Sequence, residues 1–122
     1  CNEAFRLING SANQCPVALK NVCNALREVV KTRFPDSSLI SVGGLFFLRF
    51  ICPCFVAPER FHIVQAGTIS KQQRRNTILV SKALQNLSNN LPFGKKEPFM
   101  IPINDFINSR LDDMRGLQDR MS

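Results

Sequence analysis

The sequence predicts an all-α protein, a helical bundle, on three observations. Apolar residues recur at three- and four-residue spacing through several long segments. Prolines and an Asn-Gly pair fall between those segments, where helices stop. No stretch alternates apolar and polar residues as a half-buried strand would. Ile40 to Ile51 carries β-favouring residues, but its length and the capping residues before it argue for helix.

Each element follows in order. Asn2 to Ile8 reads as the tail of a helix stopped at Asn9-Gly10. Pro16 suits the first position of a second helix. There Val17, Leu19, Val22, Cys23, Leu26, Val29 and Val30 recur at helical spacing until Pro35 ends the run near Arg33 or Phe34. Asp36, Ser37 and Ser38 can cap a third helix running to about Cys52. It is apolar on nearly every side, which places it in the middle of the bundle. Residues 53–67, with Pro53 and Pro58, read as an irregular connection with one helical turn. A fourth helix, Lys71 to Leu91, carries the stripe Val80, Ala83, Leu84, Leu87 and Leu91. Pro92, Gly94 and Pro98 then make a loop. The last helix starts near Ile103, with Phe106, Ile107, Leu111, Met114, Leu117 and Met121 on the same face.

Composition narrows the function classes. The chain is 44% hydrophobic and 20% charged, ordinary for a soluble domain. A net charge of +7 suits an acidic partner. The positive charge is spread along the chain, Tyr and Trp are absent and the Phe residues sit among aliphatics, so no stacking platform points to nucleic acid. The apolar run Leu39 to Val56 is broken by Gly43, Gly44, Arg49 and Pro53, which argues for a core helix and against direct membrane insertion. Five cysteines, odd in number and scattered, point to reduced thiols and a cytoplasmic location. Cys52-Pro53-Cys54 with His62 matches no zinc spacing, so neither metal nor cofactor is expected. Nothing resembles an acid–base pair, a nucleophile constellation or a phosphate-binding glycine loop, so an enzyme acting alone is not expected.

Two features exceed what a plain bundle needs. Arg49 interrupts the apolar run Leu45 to Ile51. A guanidinium cannot shed its charge, so burial there requires main-chain carbonyls or a carboxylate to accept its five donors. The second feature is the far side of the fourth helix, where Lys71, Arg75, Ile78, Lys82, Gln85, Asn86 and Asn89 share a face at 100° per residue. No acidic residue occurs from Lys71 to Leu91. Cations, amides and one bare aliphatic fit docking on an acidic protein surface.

At these two places the sequence resembles a known family. Phe47-Leu48-Arg49-Phe50-Ile51-Cys52-Pro53, continued by Val56-Ala57-Pro58, resembles the hallmark block of the Ras GTPase-activating proteins, the family of neurofibromin. Lys82-Ala83-Leu84-Gln85-Asn86-Leu87-Ser88-Asn89 resembles a second block. Phe93-Gly94 with Lys96-Glu97-Pro98-Phe99-Met100 resembles the loop after it, and Asn104-Asp105-Phe106 the next helix start. The family has Ala where Cys54 stands and commonly Ala at Ser88, both small replacements.

The resemblance implies an all-α fold and residues 1–122 as the C-terminal part of such a domain. It implies a partner, a Ras-like small GTPase in its GTP-bound state, and GTPase activation by an arginine finger. Such a finger is worth about 10³ to 10⁵ in rate for GTPases generally. By resemblance Arg49 is the arginine that positions the finger loop. Leu48 and Lys82 lie at the GTPase contact, and Gln85 and Asn86 support it. Arg75, Ile78 and Asn89 join them through the shared helix face. The finger is expected upstream of this chain, because Phe5-Arg6 continues as apolar helix. Little activation is therefore expected of these residues alone. The alternative is a scaffold of the IQGAP kind, which binds a small GTPase without stimulating hydrolysis. Recruitment to the inner face of the plasma membrane fits either.

Overall fold

Six α-helices, four short 3₁₀ turns and one π-helical turn make up the computed structural model, which describes residues 1–122 and contains no strand. The helices are α1 (Asn2–Gly10), α2 (Val17–Arg33), α3 (Ser38–Phe46), α4 (Cys52–Val56), α5 (Lys71–Ser88) and α6 (Asn104–Met121). The π turn Phe47–Ile51 joins α3 to α4, so the chain stays helical from Ser38 to Val56.

The sequence explains where the elements stop. Phe34 caps α2 ahead of Pro35, which cannot continue it. Ser70 opens α5 with a capping box, its hydroxyl accepting from the Gln73 amide while Gln73 Oε1 accepts from the Ser70 amide. At the other end Asn90 takes φ 53°. Its amide donates to Leu87 O and that of Leu91 to Asn86 O, the double closure that an αL residue permits. This turn ends α5 at Ser88 and swings Leu91 outward. Leu91, expected in the buried stripe, is therefore exposed.

The hub of the bundle is α3, with α2, α5 and α6 packed around it and α1 lying on α6. Phe5, Cys23, Val42, Phe47, Leu84, Leu87, Ile107, Met114, Leu117 and Met121 form its centre. Burying each large apolar side chain contributes about 1.5–3 kcal/mol. At Gly43 the helices come closest. A Cβ there would overlap Gln118 Nε2 and Ser88 Oγ and lie 3.1 Å from Gln118 Cδ. Gln118 Nε2 donates to Ser88 O at 2.9 Å, which ties α6 to α5 across that same point.

The segment Pro35–Val56 is long and apolar enough to cross a bilayer. Here its Val42, Gly43, Phe47 and Cys52 are buried in the bundle instead. It is less enclosed than its composition predicts, because Leu48 and Phe50 are 43% and 46% exposed. The π turn causes this. Cys52 N–H reaches back to Phe47 O, an i→i+5 closure, so the helical register slips and residues 48–50 face outward. The helix also runs further than predicted, with Pro53 in the first turn of α4, where a missing N–H is tolerated.

Candidate functional site

Along α5 the expected face exists as one side of a regular helix. Lys71 and Arg75 are exposed, and Ile78, Lys82, Gln85, Asn86 and Asn89 are half-buried. The opposite side puts Ala83, Leu84 and Leu87 into the core. The basic, amide-rich face and the core stripe are thus two sides of one amphipathic element.

Two ion pairs lock this helix to its neighbours. Lys82 Nζ pairs with Glu97 Oε1 on the loop after α5. Arg74 pairs with Glu59 Oε1 and also donates to Val56 O at 3.0 Å. That double contact holds the end of α4 and the 3₁₀ turn Pro58–Phe61 against α5. The Glu59 carboxyl is held below the usual glutamate range by its own main-chain amide and then by Arg74. The loop end is pinned as well. Phe93 N donates to Asn104 Oδ1 at 2.7 Å, and Asn104 Nδ2 donates to Phe93 O at 3.0 Å.

The charge distribution is lopsided. Residues 37–104 hold eight lysines and arginines and only two acidic side chains, Glu59 and Glu97. Both acids are consumed by the ion pairs with Arg74 and Lys82. What remains free in this stretch is positive: Arg49, Arg60, Lys71, Arg75, Lys95 and Lys96. An excess of one sign steers oppositely charged partners.

One expectation is corrected. Arg49 is not a buried charge satisfied within the chain. Its residue is exposed on the π turn, and it takes part in none of the six ion pairs. Uniform α-helical periodicity places residue 49 inward, and the π register slip turns it out. The turn itself packs against α5, so Leu48 and Arg49 belong to the element beside the α5 face. No hydrogen bond joins Arg49 to an α5 side chain. π turns inside α-helices occur frequently at functional sites.

Three residues that frame the site were not singled out from the sequence: Arg74, Glu97 and Asn104. Glu97, like Glu59, carried a usable signal, since isolated acids in a long basic stretch must find lysine or arginine nearby. Asn104 was marked only by the resemblance of Asn104-Asp105-Phe106, since an amide at a helix start reads equally well as a cap.

Comparison with known proteins identifies the family. The family model for GTPase-activator protein for Ras-like GTPase matches residues 1–89. Inhibitory regulator protein BUD2/CLA2 of Saccharomyces cerevisiae is 32% identical over 98% of this chain and 11% of its own length. Ras GTPase-activating protein 1 of Homo sapiens is 37% identical over 87% of the chain and 10% of its own length. Neurofibromin-A of Dictyostelium discoideum is 37% identical over 77% of the chain and 10% of its own length. The chain thus spans about a tenth of the length of these curated relatives. With a family match over most of its residues, an all-helical fold and the Leu48-Arg49 and Lys82 blocks on adjoining elements, this chain belongs to the Ras GTPase-activating protein family, whose members are regulators of GTPases.

Proposed function

We propose that residues 1–122 form the GTPase-docking portion of an activating domain for a Ras-like small GTPase in its GTP-bound state. The observation that carries this reading is the acid-free α5 face, with Lys71 and Arg75 free and Lys82 paired to Glu97, and the exposed Leu48-Arg49 turn on the neighbouring element. Ile78 supplies the apolar centre, and Gln85, Asn86 and Asn89 supply hydrogen-bonding groups that an interface can satisfy without burying charge.

The roles divide by chemistry. Lys82 meets an acidic side chain of the GTPase, in competition with Glu97 or bridged with it. Leu48 packs at the contact rim. Arg49, unpaired and exposed, is available to donate to main-chain carbonyls of a finger loop contributed by the rest of the domain. The finger stabilises charge on the transferring phosphoryl group, and Arg49 acts through it as a positioning residue. A cytoplasmic location accompanies this reading, supported by five cysteines that are all free.

Charge reversal tests the docking role. Lys82→Glu places a like charge against both Glu97 and the acidic partner, and is expected to weaken binding of a GTP-loaded Ras-like GTPase at least about tenfold at low salt, less at high salt. Glu97→Gln is the control, because it breaks the same ion pair without adding repulsion. If both variants lower stability equally and leave affinity unchanged, Lys82 is a structural lysine and the docking assignment is wrong.

A further inference from the structure

The loop between α5 and α6 presents a combination that neither the core nor the α5 face uses. Leu91 is 56% exposed, Phe99 63% and Ile101 46%. Between them stand Lys95 and Lys96, both exposed and neither ion-paired. The loop's one acid, Glu97, is already neutralised by Lys82. The loop is also held rather than slack. Phe93 and Met100 are buried anchors, Asn104 bonds the Phe93 main chain at both N and O, and Pro92, Pro98 and Pro102 restrict the backbone. A shallow depression of about 330 Å³ lies along it, with Asn86, Leu91, Lys95 and Lys96 among its lining.

We propose that this loop is a contact for an anionic phospholipid surface. Exposed aliphatic and aromatic side chains flanking a pair of free lysines suit the headgroup layer of an anionic bilayer. Lys95 and Lys96 neutralise headgroup phosphates and carboxylates. Leu91, Phe99 and Ile101 dip into the boundary between headgroups and acyl chains. The contact is peripheral and reversible. It modifies the expectation of no direct insertion only at the level of these side chains. The α5 face and this loop are joined through the Lys82–Glu97 pair, so a membrane contact at the loop also orients the α5 face.

The test uses the full chain and vesicles, with no GTPase present, so it is independent of the docking proposal. Binding to vesicles of phosphatidylcholine with phosphatidylserine is compared with pure phosphatidylcholine. Each lysine is expected to contribute on the order of fivefold, so Lys95→Gln with Lys96→Gln should lower affinity for the anionic vesicles about 25-fold. The pair Lys31→Gln with Arg33→Gln, at the end of α2, removes equal charge and should lower it far less. The chain has no Trp. Phe99→Trp therefore gives a unique fluorophore, which should shift to the blue and be quenched by brominated lipid only with anionic vesicles. Equal losses from the two double variants, or an indole emission from Phe99→Trp that stays at its value in water, would overturn the proposal. So would loop variants that weaken binding of a GTPase in solution while leaving vesicle binding intact, since the loop would then be a protein contact.

Discussion

Replacing Gly43 by Ala probes the closest approach in the bundle, where α3, α5 and α6 meet. The added methyl would overlap Gln118 Nε2 and Ser88 Oγ. Forcing extra volume into a packed site costs about 1–3 kcal/mol. If the Gln118 amide swings away, its 2.9 Å bond to Ser88 O is lost in a buried setting, which costs about 1–3 kcal/mol more. The intrinsic helix preference for Ala over Gly returns only about 1 kcal/mol. The expected net loss is about 3 kcal/mol, a large part of the roughly 5–15 kcal/mol typical of a domain. Urea unfolding followed by circular dichroism measures it, with an unchanged slope showing that the change lies in the native state. Gly44 is an internal control, because a Cβ there meets nothing within 4 Å. Gly44→Ala should therefore stabilise by up to about 1 kcal/mol. Adding Gln118→Ala to Gly43→Ala should recover part of the loss, with a coupling energy of about 1–3 kcal/mol. If Gly43→Ala stabilises the chain as Gly44→Ala does, the three helices do not meet as described.

Ser88 Oγ is buried without a hydrogen-bond partner. Ser88→Ala should therefore raise stability by about 1 kcal/mol in the same unfolding assay, and a loss of that size would show that the hydroxyl is satisfied. Burial pushes the Cys23 and Cys52 thiols above their usual range, so little thiolate forms at mildly alkaline pH. A thiol reagent at that pH should modify exposed Cys1 quickly and reach Cys23 and Cys52 only on unfolding; mass spectrometry of labelled peptides reports the order. In the complete activating domain, Arg49→Ala should lower the rate of GTP hydrolysis in the bound complex at least about tenfold while changing GTPase affinity less than about threefold. Lost affinity with normal hydrolysis in the complex would remove Arg49 from finger positioning.

Much of the fold was legible because the bundle rests on repeated local signals. Pro16 and Pro35 bracket α2, and the apolar spacing of α5 and α6 matches what is buried, whereas on α2 only Cys23 is buried and Val17, Val22 and Val29 are exposed. Two further failures share a cause. Leu91 was placed by extending an ideal 100° repeat and Arg49 by its position in an apolar helical run, and in both cases the backbone leaves the regular α-helix. Asn90 at positive φ turns the chain out of α5 just before Leu91, and the π turn changes the register around Arg49. Neither departure has a periodic signature, because each depends on tertiary packing around a short segment. The site divides the same way. The α5 face follows from helical spacing alone, whereas the Arg74–Glu59 and Lys82–Glu97 pairs join residues 15 apart in sequence and required the fold.

The most direct test of the docking account is the single-turnover rate of GTP hydrolysis on a Ras-like GTPase, followed against rising concentration of the complete activating domain, wild-type and Lys82→Glu. The account predicts that the variant needs at least about ten times more protein to reach half-maximal rate and then attains the same plateau, since Lys82 docks the GTPase and does not touch the reacting phosphoryl group. An unshifted half-maximum, or a lowered plateau with no shift, would contradict it.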